Sequence, residues 1–162
     1  MTRDEKIFDI AVANIRRNSM ESADWKHTSI GRLHHAFRDE FLAPSEELVL
    51  ASGFISSQNW YAFTTRRIAS CFEGSIIEAN PENLIRSEFE NFKGFGPNAA
   101  RQGEIPIELA LLNFSDGGTL RFQFETGSAS MVPIYAAMYW ERKHRFLDKL
   151  ITSEELKQYK HR

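Results

Sequence analysis

The apolar residues of this chain change their spacing twice, and this change limits the possible folds more than any other feature. From residue 47 to residue 125 they occur in short runs typical of β-strands, whereas the segments before and after have helical spacing. In Thr119–Glu125, leucine and phenylalanine alternate with polar residues, as in a half-buried strand. The other candidate strands are Glu47–Ile55, Asn59–Thr64, Arg67–Glu73, Ser75–Ala79, Leu84–Phe92 and residues 105–111. Most connections are too short for a parallel crossover, so we expect seven antiparallel strands.

The last two candidate strands are joined by a sequence that predicts a tight hairpin. Ser115-Asp116-Gly117-Gly118 lies between them, and its glycines can adopt the positive φ angles that short hairpin turns require. We therefore expect residues 105–111 to pair directly with Thr119–Glu125.

Two helices are predicted before the strands. Thr2 and Glu5 have the spacing of a capping box, in which a hydroxyl and a carboxylate each accept a hydrogen bond from a free backbone N–H. Apolar residues then recur at helical intervals: Ile7, Phe8, Ala11 and Ile15. A second helix is predicted over Thr28–Leu42 and ended by Pro44. Its apolar stripe would consist of Ile30, Leu33, Phe37 and Phe41.

A further helix is predicted after the last strand, with Ser128 or Ser130 as its cap and Pro133 in its first turn. One of its faces carries large apolar side chains: Met131, Tyr135, Met138, Tyr139 and Phe146. We expect this stripe to cover the open side of the sheet. Ala136 and Trp140 lie on another face, which we expect to meet the N-terminal helices.

Composition and charge argue against several classes of protein. The chain has 162 residues, enough for one ordinary domain. Its net charge is −2, so no overall positive field attracts nucleic acid. A single cysteine and the lack of any run of about 18 apolar residues argue against a disulfide framework and a membrane-spanning helix. The charged first residues do not resemble a signal peptide, so a cytoplasmic protein is expected.

The segment Trp60–Ile68 carries a resemblance to a known family. It combines an aromatic-rich strand, threonine, a basic turn and an aliphatic strand. This pattern resembles a hairpin of bacterial pleckstrin-homology-like (PH-like) and GRAM-like domains, whose order is also seven strands followed by one helix. The resemblance implies an α+β fold, a seven-stranded antiparallel bent sheet or barrel capped by a C-terminal helix. It would span residues 45–150, between an N-terminal helical extension at 1–43 and a tail at 151–162.

The resemblance also implies a binding function without catalysis, because PH-like domains are usually modules that bind phosphoinositides, peptides or protein surfaces. Lipid-binding members place several basic residues in the loop between their first two strands, whereas the corresponding loop here, Gly53–Asn59, has none. A protein or peptide partner is therefore the leading hypothesis, with self-association also open. The alternatives are a peripheral membrane module for anionic lipid or phosphoinositide, and a small-ligand carrier or enzyme with an aromatic cavity.

Five residues are candidates for the binding surface. Phe54 and Ile55 lie in the loop between the first two PH-like strands, where an apolar contact with a partner is expected. Arg66 and Arg67 stand at the predicted turn and can either bind an anion together or pair with nearby glutamates. Phe95 stands between two glycines and can form the contact tip of a longer loop.

No residue pattern predicts catalysis or metal binding. His34, His35, Asp39 and Glu40 carry atoms that can ligate a metal, but on one helix the two histidines would project in different directions. Cys71 has no visible basic partner and is expected to be an unreactive thiol in or near the core. We therefore expect no catalytic residue, no metal and no cofactor.

Overall fold

The structure, a computed structural model, describes residues 1–93 and 107–142. Helix α1 spans Arg3–Asn18, and helix α2 occupies residues 131–142 of the described chain. The strands are β1 (Thr28–Ile30), β2 (Val49–Ser56), β3 (Asn59–Thr64), β4 (Ile68–Phe72), β5 (Ser75–Ala79), β6 (Leu84–Phe89), β7 (Ile107–Phe114) and β8 (Thr119–Glu125). Short 3₁₀ turns at Pro81–Asn83 and Gly127–Ser130 lead into β6 and α2.

The strands form two antiparallel sheets. β1 to β5 pair in chain order as a five-stranded sheet, and β6 to β8 form a three-stranded sheet. The predicted strands and their antiparallel pairing are confirmed, and β1 is an additional strand that the sequence did not predict. The described residues form two separate sheets and no closed barrel, so the chain is α+β with a helix near each end.

The predicted hairpin at residues 115–118 is confirmed. Asn113 pairs with Thr119, and Gly117 has a φ of +87°. The β4–β5 hairpin likewise turns through Glu73 and Gly74, whose φ angles of 49° and 86° suit a tight two-residue turn. Both turns bring sequence neighbours together as antiparallel pairs.

The main core lies between the two sheets and includes one face of each helix. Tyr61 and Phe63 of β3 contact Phe122 of β8, with ring centroids 4.4 and 5.9 Å apart. Helix α1 contributes four fully or almost fully buried apolar side chains: Ile7, Ala11, Val12 and Ile15. The helix begins with the predicted capping box, because Thr2 Oγ1 accepts a hydrogen bond from the Glu5 amide at 3.1 Å.

The predicted helix over Thr28–Leu42 is wrong. Residues 28–30 form β1 instead, and residues 31–43, which we call the strap, cross the outer face of the five-stranded sheet without helical structure. In the strap, Phe37 and Phe41 pack edge-on against Trp60, with ring centroids 5.6 and 6.0 Å apart. Gly31, with a φ of +73°, turns the chain away from a helical path. Aromatic residues four apart can therefore cover an apolar sheet face without forming a helix.

Helix α2 follows β8 as predicted, but it buries a different face. The residues packed into the core are Val132, Ala136, Ala137 and Trp140. Four residues of the stripe predicted to cover the sheet are only half-buried: Met131, Tyr135, Met138 and Tyr139. The fifth, Phe146, lies outside the described residues. The two alanines allow the helix backbone to approach the core closely, so the larger side chains are left on the flanks. None of the described helices has the length and apolar character needed to cross a membrane.

Candidate functional site

An open groove of about 480 Å³ lies between the edge of β6 and the flank of α2. Six of its lining side chains are apolar or aromatic: Phe89, Phe92, Met131, Ile134, Tyr135 and Met138. Ser87 and Glu141 also line it and are joined by a hydrogen bond of 2.6 Å from Ser87 Oγ to the Glu141 carboxylate. The stripe of α2 that does not enter the core therefore forms one wall of a groove.

The other wall of the groove ends in unpaired strand backbone. Among the described strands, β6 pairs with β7 only, so its second edge is open. The Glu90 amide donates to the Leu109 carbonyl at 3.0 Å, which sets the alternation of backbone groups along this strand. Successive residues of a strand direct their N–H and C=O groups to opposite edges. The backbone groups of Ser87 and Phe89 therefore point away from β7, toward the groove side.

Core contacts hold the walls of the groove in place. The Phe89 ring packs edge-on against Phe122 and Phe124, with centroid distances of 6.1 and 5.3 Å. At the next aromatic residue, the Phe92 carbonyl accepts a hydrogen bond of 3.0 Å from the Gly127 amide just before α2. The groove is thus supported by the main core, and little ordering of these side chains is needed when a ligand enters.

The chemistry of the groove suits binding of an extended apolar chain. Its open edge offers backbone donors and acceptors, which pair with any peptide regardless of sequence. Its methionines are flexible and polarisable, so they adapt to different apolar side chains. Among the described residues, Tyr135 and Glu141 are the only ionisable ones that line it, and the Glu141 carboxylate already accepts a hydrogen bond from Ser87. The lining therefore supplies apolar contact and backbone pairing.

The predicted contact residues Phe54 and Ile55 lie elsewhere, at the end of β2. The Phe54 ring packs edge-on against Phe37 of the strap, at a centroid distance of 4.9 Å, and is half-buried there. The Phe54 amide also donates to the His27 carbonyl at 2.8 Å. The ring contact holds the strap on the sheet face, and the amide bond extends the pairing of β1 with β2. Phe95, the remaining apolar candidate, falls outside the described residues.

Arg66, predicted as a possible anion ligand, is paired with α1. Its Nε and Nη2 atoms donate to the two carboxylate oxygens of Asp4 at 3.1 and 3.0 Å. The hydroxyl of Thr65 donates to the same carboxylate at 2.5 Å. Hydrogen bonds from Arg66 and then from Thr65 hold the pKa of Asp4 below its ordinary value.

The positive charge of Arg67 is compensated more completely than that of Arg66. Its guanidinium donates to Glu47 at 2.9 Å, to Glu78 at 2.6 Å and to the Leu42 carbonyl at 2.5 Å. It also lies 4.3 Å from the ring centre of Phe41. The glutamate pairing considered in the sequence is therefore the arrangement observed, and the turn at 64–67 joins α1, the strap and β5.

The histidines and the cysteine of the described chain are not grouped into a metal site. No three histidine, cysteine, aspartate or glutamate side chains of residues 1–93 and 107–142 are close enough together to hold a metal ion. His34 is buried, and its Nδ1 accepts a hydrogen bond of 3.1 Å from the Ala36 amide; burial lowers its pKa. Cys71 is buried as predicted, and burial raises the pKa of its thiol.

The groove itself was missed by sequence reasoning, although part of its signal is visible in the sequence. The spacing of Met131, Tyr135 and Met138 shows the stripe but predicts that it covers the sheet, whereas these residues line the groove. Helix α2 is apolar on more than one face, and no pattern in the sequence says which face is buried. The open edge of β6 depends on strand order, which local sequence does not encode.

Comparison with known proteins adds no relative. No protein-family model, no curated protein and no solved structure matches this chain. The function must therefore be argued from the groove and its surroundings.

Proposed function

We propose that this chain is a non-catalytic interaction module that captures an extended peptide segment of a partner protein. The peptide would add a strand to the open edge of β6 and place its apolar side chains in the groove beside α2. The single observation that carries this proposal is the coincidence of an unpaired strand edge with an apolar groove along the same strand.

The same proposal includes a PH-like fold. The strands from β2 to β8 and the helix after β8 follow the order expected from the resemblance. Strand β1 and helix α1 would then be additions to that order. Neither β1 nor α1 lines the groove between β6 and α2, so both leave it open.

The geometry limits the peptide that would fit. A strand added to β6 would hydrogen-bond with the backbone of Ser87 and Phe89, and its alternate side chains would face the groove. Apolar residues at every second position would therefore bury their side chains against Met131, Ile134 and Met138. The side chains between them would lie on the solvent side, beside the exposed Glu88 and Glu90.

The experiment is a selection from a library of displayed random peptides, followed by affinity measurement on the full chain. Ser87→Pro removes the outward N–H that a peptide carbonyl would accept from, whereas Ser87→Ala keeps that N–H and loses only the bond to Glu141. Met138→Lys places a charge in the groove. We expect Ser87→Ala to bind selected peptides within a few-fold of the wild type, and Ser87→Pro and Met138→Lys to bind at least about tenfold more weakly.

A matched control distinguishes peptide binding in the groove from nonspecific binding to exposed apolar side chains. Ile10 of α1 is 61% exposed and does not line the groove, so Ile10→Lys should leave peptide affinity unchanged. The proposal fails if no peptide is enriched, or if enriched peptides bind Ser87→Pro and Met138→Lys as tightly as the wild type. It also fails if Ile10→Lys weakens binding as much as Met138→Lys does.

A further inference from the structure

A second surface pocket, of about 360 Å³, lies between the end of α1 and the residues on both sides of Gly31. Its wall carries two guanidinium groups, one carboxylate and one hydroxyl. These belong to Arg16, Arg32, Glu21 and Ser22, and the buried side chain of Ile30 contributes to the lining. The pocket shares no residue with the groove between β6 and α2.

Gly31 lies beside the guanidinium of one arginine and directly before the other in the chain. Arg16 Nη2 lies 3.7 Å from the position that a Cβ on Gly31 would occupy, and Arg32 is the next residue along the chain. The Gly31 amide donates to the Leu50 carbonyl at 2.8 Å, and Ser52 Oγ donates to the Arg32 carbonyl at 2.8 Å. The backbone that carries Arg32 is therefore fixed on β2, beside the guanidinium of Arg16.

The two positive charges have no acidic partner within the described part of the chain. The salt bridges found there use Arg3, Arg66, Arg67 and Arg86. Neither Arg16 nor Arg32 takes part in one, and Glu21 on the same wall is beyond ion-pair distance. Two like charges on one pocket repel each other, and an anion between them would relieve that repulsion.

We propose that this pocket binds a phosphate group, either as the free ion or as a phosphomonoester. Each guanidinium presents a planar fork of donors that matches phosphate oxygens, and a dianion compensates both positive charges. Ser22 Oγ accepts a hydrogen bond of 3.1 Å from the Asp24 amide, so its own O–H remains available to donate to a phosphate oxygen. Glu21 opposes the anion and would lower its affinity.

The alternative explanation of Arg16 is that it only stabilises the negative end of the α1 dipole. Arg17 stands in the same last turn and is also exposed, but it does not line the pocket. Arg17→Gln is therefore a matched control, since it removes the same charge from the same helix end. Arg32 is not part of a helix, so the dipole does not explain its position.

The test is a titration of the full chain, at constant ionic strength, with inorganic phosphate and separately with phenyl phosphate, followed by NMR chemical shifts of the arginine Nε–H groups. We expect saturable binding, weakened about tenfold or more in Arg16→Gln and in Arg32→Gln. Arg17→Gln should change the affinity by less than about threefold, and Glu21→Gln should tighten binding. Tighter binding of inorganic phosphate than of phenyl phosphate identifies the free ion as the ligand, and the reverse order identifies a phosphomonoester.

Three results would overturn the proposal. The first is the absence of saturable binding of both anions by a wild-type protein that is folded. The second is equal weakening by Arg17→Gln and Arg16→Gln, which indicates a diffuse positive field without a pocket. The third is unchanged or weaker binding in Glu21→Gln, since a carboxylate on the wall of a real anion pocket must oppose the ligand.

Discussion

Two pairs of arginines in this protein have opposite surroundings. Arg66 and Arg67, which the sequence singles out, each meet carboxylates at 3.0 Å or less. Arg16 and Arg32, which no motif distinguishes, share a pocket without an ion-paired acid in the described chain. Adjacent basic residues at a turn can thus stabilise the fold, while basic residues far apart in sequence line a pocket where a ligand can bind.

The strap connects these two regions physically. It begins at Gly31 and Arg32, beside the uncompensated pair, and near its other end the Leu42 carbonyl accepts a hydrogen bond from Arg67. Its middle covers Trp60 on the outer sheet face. Substitutions along the strap and at both arginine pairs therefore test whether one region is structural and the other is not.

The largest effect is expected for Arg67→Met. The Glu47 side chain is only 3% exposed, and without Arg67 the one hydrogen bond that its carboxylate keeps within the described residues is that of 2.5 Å from Thr64. We expect the free energy of unfolding to fall by about 3 kcal/mol, because an unpaired carboxylate is then left buried. Urea denaturation of the full chain measures this loss. Arg16→Met is the matched substitution in the other pair and should change the free energy of unfolding by less than about 0.5 kcal/mol. Equal losses in both variants would mean that the two arginine pairs do not differ in their contribution to stability.

A second prediction concerns Asp4, whose carboxylate binds Arg66. Its pKa is lowered from the ordinary value of 3.8, mainly by the hydrogen bond from Arg66, so folding favours the ionised form. The stabilisation is therefore fully present above about pH 5 and is lost as the pH falls below 3.8 through the folded-state pKa. We expect Asp4→Asn to be less stable than the wild type at neutral pH and the difference to disappear in acid. A difference that stays constant over this range would mean that the carboxylate charge does not stabilise α1.

A third and smaller effect is expected at His34 in the strap. Burial, followed by the charge of His35, lowers its pKa below 6.5, so the unfolded chain takes up the proton first. His27, His35 and the Glu125 carboxylate are the titratable groups near this ring. Wild-type stability should therefore fall as the pH falls from 6.5 toward the folded-state pKa, and His34→Gln should reduce this slope.

The single cysteine reports on the same event. Cys71 is buried in the cluster that Phe37 and Phe41 of the strap cover. If acid loosens the strap, a pyridyl disulfide reagent should modify Cys71 faster at pH 5 in the wild type than in His34→Gln, relative to their rates at pH 7. Equal acceleration in the two proteins would show that protonation of His34 does not control opening of the strap.

The smallest effect is expected for the stability of Arg32→Gln. Removing one of two neighbouring like charges should leave the free energy of unfolding unchanged or raise it by about 0.3 kcal/mol. The same urea series that measures Arg67→Met checks this value. A loss of more than about 1 kcal/mol would show that Arg32 stabilises the fold, which contradicts the contrast drawn between the two arginine pairs.

Much of the fold was predictable from local sequence. The capping box at Thr2 and Glu5, the glycine turn at 115–118 and the alternation in Thr119–Glu125 all depend on contacts within a few residues. The predicted helix over Thr28–Leu42 failed because the spacing of Phe37 and Phe41 also suits an irregular segment lying on an apolar sheet face. Helical spacing indicates that side chains meet a common surface, and it does not by itself distinguish a helix from such a strap.

The proposed binding sites were less predictable. Phe54 is a packing residue beneath the strap, and Arg66 and Arg67 are paired with acids that lie 20 or more residues away in several cases. The groove depends on which strand ends a sheet and on which flank of α2 remains outside the core. The phosphate pocket depends on Arg16 and Arg32, which are far apart in sequence and line one pocket beside Gly31.

Local sequence encodes the short antiparallel strands, their tight turns and the capped first helix, because these follow from side-chain periodicity and from the φ angles that single residues allow. Tertiary packing selects which face of α2 is buried, which strand edge stays open and which arginines of the described residues form no ion pair. Those outcomes depend on packing and electrostatic contacts between residues far apart in the chain, and such contacts leave no local pattern.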